Sequence, residues 1–408
     1  MGYQDILARV YELAPKGVTL GLERVAHAAH LLGNPEQHFF SVQIGGTNGK
    51  GTVSMILAHA LAQRGVRVGL FTSPHLHRFA ERIRVDGREA PEDLIGNCLE
   101  RVLRLNDSKS EHCLSFFEAA TLAAFLVFNE MNVEIAVLEV GLGGRLDATT
   151  VAEPKLTALT SVAIDHSALL GNTIQSIAAE KAAVARPNVP MVVGALPAEA
   201  LEVVRAACAA AGAPLFEFGR DFSLPDSWKP PFPGAHHKSN IAVAEALYQR
   251  LVERFPSLRL EAFADSLPTV ERPGRFEIIR ADRRYILDCA HNLEAATALV
   301  QTLADEKEHP AALLYGALRD KPAREMLALY RPAVSHVVLM PPPIHRAEDP
   351  ALLAAPEDII AATGAEALAA VADTTAPSDT VLVTGSLFTV AAVRAILLNE
   401  RADAPVGL

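Results

Sequence analysis

No stretch of the 408-residue chain approaches the ~18 unbroken apolar residues of a membrane-spanning helix, which excludes a helical span. The opening residues, Met1-Gly2-Tyr3-Gln4-Asp5-Ile6, lack the basic and apolar regions of a signal peptide, and position 6 lacks the Ser or Thr of a myristoylation site. Positive charge is in deficit: 37 Lys and Arg stand against 48 Asp and Glu, a formal net charge of −11, with no basic stripe, so nucleic acid is not expected as a partner. Cysteine is scarce. Cys98, Cys113, Cys208 and Cys289 form no metal or redox spacing, and such thiols suit a reducing cytosol, so a cytoplasmic, membrane-free protein is expected. All four read as structural, Cys289 as small core packing beside a motif. Internal repeats and low-complexity tracts are also missing, and no heptad or apolar stripe points to self-association, so a monomer is expected.

What is present begins with residues 45–52, Gly-Gly-Thr-Asn-Gly-Lys-Gly-Thr, after the apolar run Phe39-Phe40-Ser41-Val42-Gln43-Ile44 and before the helix-like stretch 53–64. A strand, a glycine-rich turn carrying a lysine and a helix make a phosphate cradle, because loop N–H groups and the helix N-terminus converge on an anion. The expected ligand is ATP. The hydroxyl of Thr52 sits one residue later after Lys50 than in the common P-loop pattern, with Gly51 between them.

Half the residues are hydrophobic, enough for a large core, and the length suggests two or three domains. Strand-like and helix-like segments alternate: strand 66–72, helix 117–129, strands 133–140 and 155–164, helix 174–185, strand 191–194, helix 198–211, strand 215–218. This is the pattern of an α/β, doubly wound, mainly parallel sheet, whose ligands gather at the carboxyl ends of the strands. Residues 223–234 carry four prolines and read as an irregular loop before helix 237–252; 268–273 reads as a linker. Alternation then restarts, with strands 275–279, 285–289, 312–315, 334–340 and 380–384 and helices 294–304, within 356–372, and 387–398. We therefore expect a P-loop domain over 1–270 and a smaller Rossmann-like domain over 271–408.

Several side chains fall where chemistry is expected. Glu139 closes a strand and opens Val140-Gly141-Leu142-Gly143-Gly144-Arg145-Leu146-Asp147-Ala148-Thr149; a carboxylate facing a P-loop suits Mg²⁺. His166, in Ala163-Ile164-Asp165-His166, and Ser73, in Thr72-Ser73-Pro74-His75-Leu76, read as ends of two further strands, and with Glu139 they suggest a second divalent ion. Taken singly, His166 is as well explained as a structural hydrogen-bonding group and Glu139 as a solvated carboxylate. Lys181, in Ala179-Glu180-Lys181-Ala182-Ala183, reads by itself as an exposed helix lysine. Arg272-Pro273-Gly274-Arg275-Phe276 precedes a strand, and Asp288-Cys289-Ala290-His291-Asn292 ends one; Arg can pair with phosphate and Asp with ribose hydroxyls, though a strand-end Asp is also an ordinary helix cap. Gly316-Ala317-Leu318-Arg319-Asp320-Lys321 repeats the strand-to-loop theme.

Taken in order along nearly the whole chain, from Leu20-Gly21-Leu22-Glu23-Arg24-Val25 to Thr384-Gly385-Ser386-Leu387-Phe388, these motifs resemble the bifunctional dihydrofolate synthase/folylpolyglutamate synthase family, a branch of the Mur-ligase-like amide ligases. The resemblance implies an ATP-dependent ligase adding L-glutamate to dihydropteroate and to tetrahydrofolate through an acyl phosphate. It implies a triphosphate loop of Thr47, Asn48, Gly49, Lys50, Gly51 and Thr52, with Asn240, Arg275 and Asp288 as further ATP contacts. Ser73, Glu139, His166 and Thr52 would serve two Mg²⁺ sites, with K⁺ a possible third ion, and Lys181 would be carbamylated. Lys50, Lys181, His166 and Glu139 would carry the chemistry. Substrate would contact Thr19, Leu20 and Gly21; Ser115, Phe116, Phe117 and Glu118; Leu146, Asp147 and Ala148; and His291 would lie by the glutamate or phosphate site. Thr150, Ala183, Thr19 and His237-Lys238 depart from residues common in the family, which bears on substrate preference more than on ATP chemistry. A Mur-type peptidoglycan-precursor ligase fits less well, since only 45 residues precede Gly46. A monofunctional polyglutamate synthase and a non-catalytic nucleotide-binding module also compete with the bifunctional ligase.

Overall fold

The computed structural model describes residues 2–14, 21–105, 113–225, 230–255, 258 and 263–403. Two sheets organise it. The first holds β1 (Phe40–Gly45), β2 (Val68–Phe71), β3 (Ile83–Val85), β4 (Arg88–Glu89), β5 (Ile135–Glu139), β6 (Leu156–Leu159), β7 (Met191–Val193) and β8 (Leu215–Glu217). Their spatial order is β4-β3-β2-β5-β1-β6-β7-β8, parallel except at the β2–β3 and β3–β4 pairings.

The strands alternate faces with period two, as extended backbone requires. Ile135 and Val137 of β5 pack with helices Lys50–Ala62 and His237–Arg254, while Ala136 and Leu138 pack with helix Phe116–Glu130 on the other face. Both faces being covered explains why β1, β5 and β6 read as nearly continuous apolar runs.

The second sheet holds β9 (Glu277–Arg280), β10 (Arg284–Leu287), β11 (Ala312–Tyr315), β12 (His336–Leu339), β13 (Ile359–Ile360) and β14 (Thr380–Thr384), in the order β13-β12-β11-β14-β10-β9. Only the β9–β10 pair is antiparallel. Helices Leu293–Asp305 and Ala323–Tyr330 cover one face, Gly364–Thr374 and Leu387–Leu398 the other. Among the described residues no helix is long and apolar enough to cross a membrane.

The doubly wound, mainly parallel reading holds, and the structure corrects it in detail. The segment read as strand 155–164 ends at Leu159, because Ser161 and Ala163 turn to bond the P-loop. The strand read from Arg275 starts at Glu277, since Gly274 (φ 67°) and Phe276 (φ 48°) form a turn. Helices Tyr3–Tyr11, Glu23–Leu31, Glu92–Leu105 and Ala323–Tyr330 and the β3–β4 hairpin add to the elements expected from sequence. Cys98, Cys208 and Cys289 are buried, and burial pushes their thiols up, to about 12, 11 and 12.

Candidate active site

The P-loop leaves β1 at Gly45 and enters helix Lys50–Ala62 at Lys50. Its shape is held from β6's loop. Thr47 N–H donates to Ser161 O (2.9 Å), Asn48 N–H to Ser161 Oγ (2.9 Å), and Thr160 Oγ1 to Asn48 O (2.6 Å). Gly49 has φ 84°, and a Cβ there would lie 2.5 Å from Asn240 Oδ1, so glycine lets the loop approach helix His237–Arg254. Asn240, expected at ATP, therefore sits against the loop.

Lys50 Nζ donates to Gly46 O and Thr47 O, each at 3.0 Å. Lys181 Nζ donates to the same Gly46 O, also at 3.0 Å. Lys181 is only 6% exposed, which overturns its stand-alone reading as a surface lysine. Burial, then the charge of Lys50, lowers its pKa to about 7. Its helix, Ile174–Ala182, starts with a Thr173 capping box and packs against the Gly-rich loop after β5. Gly144 permits that packing: a Cβ there would meet Val184 Cγ1 at 2.7 Å and Lys181 O at 3.1 Å.

Glu139 ends β5 in register with Ile44 of β1 and lies beside the P-loop, 5% exposed rather than solvated. Its Oε2 accepts Ser73 N–H (3.0 Å), and no donor among the described residues reaches Oε1. Burial raises its pKa while Lys50 and Arg275 pull the other way, so the carboxylate is a hard-oxygen donor short of positive charge. Thr52 is buried in the first turn of its helix.

His166 is not a strand end: it is an exposed residue in the left-handed conformation (φ 52°), at the N-terminus of the short helix Ser167–Leu170, with no capping bond from its side chain. Among the described residues no three His, Cys, Asp or Glu side chains converge on a metal position. The structure instead gathers one carboxylate and hydroxyls around the phosphate loop, a donor set that phosphate oxygens would complete for Mg²⁺.

The second sheet contributes from the opposite side. Asp288 Oδ2 accepts Phe276 N–H and Oδ1 accepts Ala290 N–H, both at 2.9 Å. Arg275 lies within electrostatic reach of Asp288, Glu139 and Lys50. Arg272 stacks on Phe232, its guanidinium carbon 3.6 Å from the ring centre, and its Nη1 lies 3.1 Å from His237 Nε2. His291 Nε2 lies 3.6 Å from Asp165 Oδ2. Two groups that sequence reasoning leaves out complete the seam: Lys321, 6% exposed side chain, pairs with Asp165, and Asn292 bonds Asn48. The Lys321 loop reads from sequence as a strand end; only its partner across the cleft reveals its place.

Of the expected substrate residues, Thr19 and Leu20 lie outside the described residues. Gly21 precedes helix Glu23–Leu31, whose Arg24 Nη2 donates to Glu118 Oε1 (2.9 Å). Ser115 caps helix Phe116–Glu130, and Glu118 Oε2 accepts Ser115 N–H (2.7 Å). Phe116 is buried on Arg82, while Phe117 stays half-exposed. Leu146 is half-buried and Ala148 buried. Both oxygens of Asp147 are taken within its own loop, by Gly141 and Leu142 N–H and by Thr149, so it shapes that loop.

Residues 44–221 match the Mur ligase middle domain, and residues 274–387 match the Mur ligase, glutamate ligase domain. The chain is 33% identical to the dihydrofolate synthase/folylpolyglutamate synthase of Escherichia coli strain K12, over 97% of this chain and 95% of that one. It is 34% identical to a probable bifunctional folylpolyglutamate synthase/dihydropteroate synthase of Haloferax volcanii, over 97% of this chain but only 50% of that relative's length. A solved bifunctional folylpolyglutamate synthase/dihydrofolate synthase from Yersinia pestis, complexed with AMPPNP and Mn ion, superposes with a TM-score of 0.85 at 31% identity, covering 98% of each chain.

Proposed function

The chain belongs to the dihydrofolate synthase/folylpolyglutamate synthase family of Mur ligases, and from that premise we propose that it is an ATP-dependent ligase joining L-glutamate to both dihydropteroate and tetrahydrofolate. The observation that carries the reading is the convergence of Lys50, Lys181 and Glu139 on one phosphate loop, with Arg275 and Asp288 opposite. We assign the two sheets to two domains, 1–270 and 271–408, with the reaction between them.

A carboxylate is a poor acyl donor because oxide would have to leave. The acid's carboxylate oxygen attacks the γ-phosphorus of ATP, the bond to the β-phosphate oxygen breaks, and ADP departs, leaving an acyl phosphate. The amine of L-glutamate then attacks the acyl carbon, loses a proton, and expels inorganic phosphate. Lys50 Nζ, already turned toward the loop carbonyls, neutralises charge on the transferring group. Glu139, Ser73 and Thr52 would hold Mg²⁺, which when bound neutralises phosphate charge, and His166, on the turn after Asp165 and within electrostatic reach of Lys50, would serve the second ion. Thr47 to Gly51 seat the phosphates on their N–H groups.

Lys181 suits modification. With a pKa near 7 much of its amine is neutral, and a neutral amine adds to CO₂, releasing a proton and leaving an N-carboxylate. That carboxylate would compensate Lys50 and add an oxygen donor for a second Mg²⁺. K⁺ belongs to the same proposal, tested by replacing it with Na⁺ in the assay. Phe117 offers a half-exposed ring for a pterin, beside the loop of Leu146 and Ala148.

The test is phosphate release from MgATP and L-glutamate with dihydropteroate in one reaction and tetrahydrofolate in another. Release with both is expected. Release with tetrahydrofolate alone would reduce the protein to a polyglutamate synthase, and release with neither would sink the ligase reading. Glu139→Ala should lower turnover on the order of 10²- to 10³-fold; wild-type turnover would refute the metal assignment.

A further inference from the structure

Asn292 is 1% exposed, yet it joins three elements. It is the N-cap of helix Leu293–Asp305: its Oδ1 accepts Ala295 N–H at 2.9 Å. The same oxygen accepts Asn48 Nδ2–H at 3.2 Å from the P-loop. Its Nδ2 donates to Asn48 Oδ1 at 3.0 Å and to Asp165 Oδ2 at 3.2 Å. An amide has two lone pairs on oxygen and two N–H donors, and all four are used here. The cap fixes which way round the amide sits, because only its oxygen can accept the Ala295 N–H. The helix end on one side of the cleft thereby dictates that an NH₂ group faces Asn48 and Asp165 on the other.

The surroundings reinforce that contact. Asn48 Nδ2 also donates to Glu294, in the first turn of the same helix. Asp165 is paired by Lys321, approached by His291, and accepts His166 N–H at 2.8 Å. Asn48 is a loop residue whose own peptide is bonded on both sides by Thr160 and Ser161, so the side chain that meets Asn292 and Glu294 is rooted in a peptide of the phosphate loop itself.

Resting on the ligase reading above, we infer that Asn292 is a positioning residue whose capping amide ties the seating of the carboxy-terminal half to the shape of the P-loop. When the halves are apart, Asn48 loses a buried, doubly bonded partner and its peptide is freer; when they are together, the loop is fixed for phosphate.

Two variants separate this from a merely structural cap. Ser and Asp both cap helices about as well as Asn, but neither brings two N–H donors. Asn292→Ser and Asn292→Asp should keep cooperative thermal unfolding. They should raise KM for MgATP, lower kcat about 10- to 100-fold, and weaken MgADP binding measured by calorimetry. Adding Asp165→Asn to Asn292→Asp restores one donor facing one acceptor and should recover part of kcat/KM. Wild-type kinetics and MgADP affinity in Asn292→Ser, or no recovery in the double variant, would overturn the inference. If the wild-type protein releases no phosphate with either acid, the ligase reading fails, while MgADP affinity still decides the role of Asn292. Failure of the wild-type protein to bind MgADP would end both.

Discussion

Lys181 sits where a protonated amine is unfavourable: it is buried, faces Lys50, and has one carbonyl for a partner. Its pKa of about 7 in the folded protein lies below the ordinary 10.5, so between those values the unfolded chain binds more protons and stability rises with pH. The penalty is complete below pH 7 and fades as pH climbs toward 10. Without CO₂, Lys181→Met should be more stable than wild type at pH 6, and the gap should shrink toward pH 10. Denaturant titrations across that range check it; a pH-independent gap would contradict the assignment. Added bicarbonate at pH 8 should stabilise wild type and leave Lys181→Met unchanged. Sequence alone leaves Lys181 on a surface, because burial depends on the loop that Gly144 lets pack against its helix.

At the level of elements, the site is as good as the ends of its strands and helices. The Thr173 capping box starts the helix that carries Lys181, and its hydroxyl accepts Ser176 N–H at 3.1 Å. Thr173→Ala should cost about 1 kcal/mol of stability, measured by urea denaturation, and lower turnover through Lys181. No change in either would show that the helix is held by packing alone. The P-loop, Glu139 and the Ser73 turn are legible in the sequence because each lies within two residues of an apolar strand whose run stands out. His166 is misplaced by sequence because the apolar residues Val162, Ala163 and Ile164 extend the run of β6, though the backbone there bonds Thr47 instead of a neighbouring strand. Helices Tyr3–Tyr11 and Glu92–Leu105 escape a motif-led reading because they hold no motif, although their apolar faces complete the core under Phe116 and Phe125. The pairing of Asp165 with Lys321 has no local signal, since 156 residues separate them.

Across the whole molecule, the two halves are also joined through the last described residues of the chain. Asp403 Oδ2 accepts Phe79 N–H at 2.8 Å, Asp403 N–H donates to His77 O at 2.7 Å, and Glu400 Oε2 lies 2.6 Å from His77 Nδ1. His77 is 1% exposed, so these partners are hard to replace. Asp403→Ala would leave the Phe79 amide without its acceptor and should cost about 1–3 kcal/mol. Calorimetry should show the halves no longer melting as one transition; a single unshifted transition would mean this tail contact couples nothing.

The order of strands across the first sheet has a consequence for how the protein is made. β1 carries the P-loop and appears early in synthesis, but its neighbours in the sheet are β5 and β6, which begin 95 and 116 residues later (135 − 40 and 156 − 40). The nascent chain therefore holds a phosphate loop with no walls until β6 and the segment to Asp165 have emerged. Partners so distant along the chain join slowly. A ribosome-bound fragment ending before residue 156 would carry the whole loop motif without β6, Thr160 or Ser161 to hold its shape, and should be blind to nucleotide.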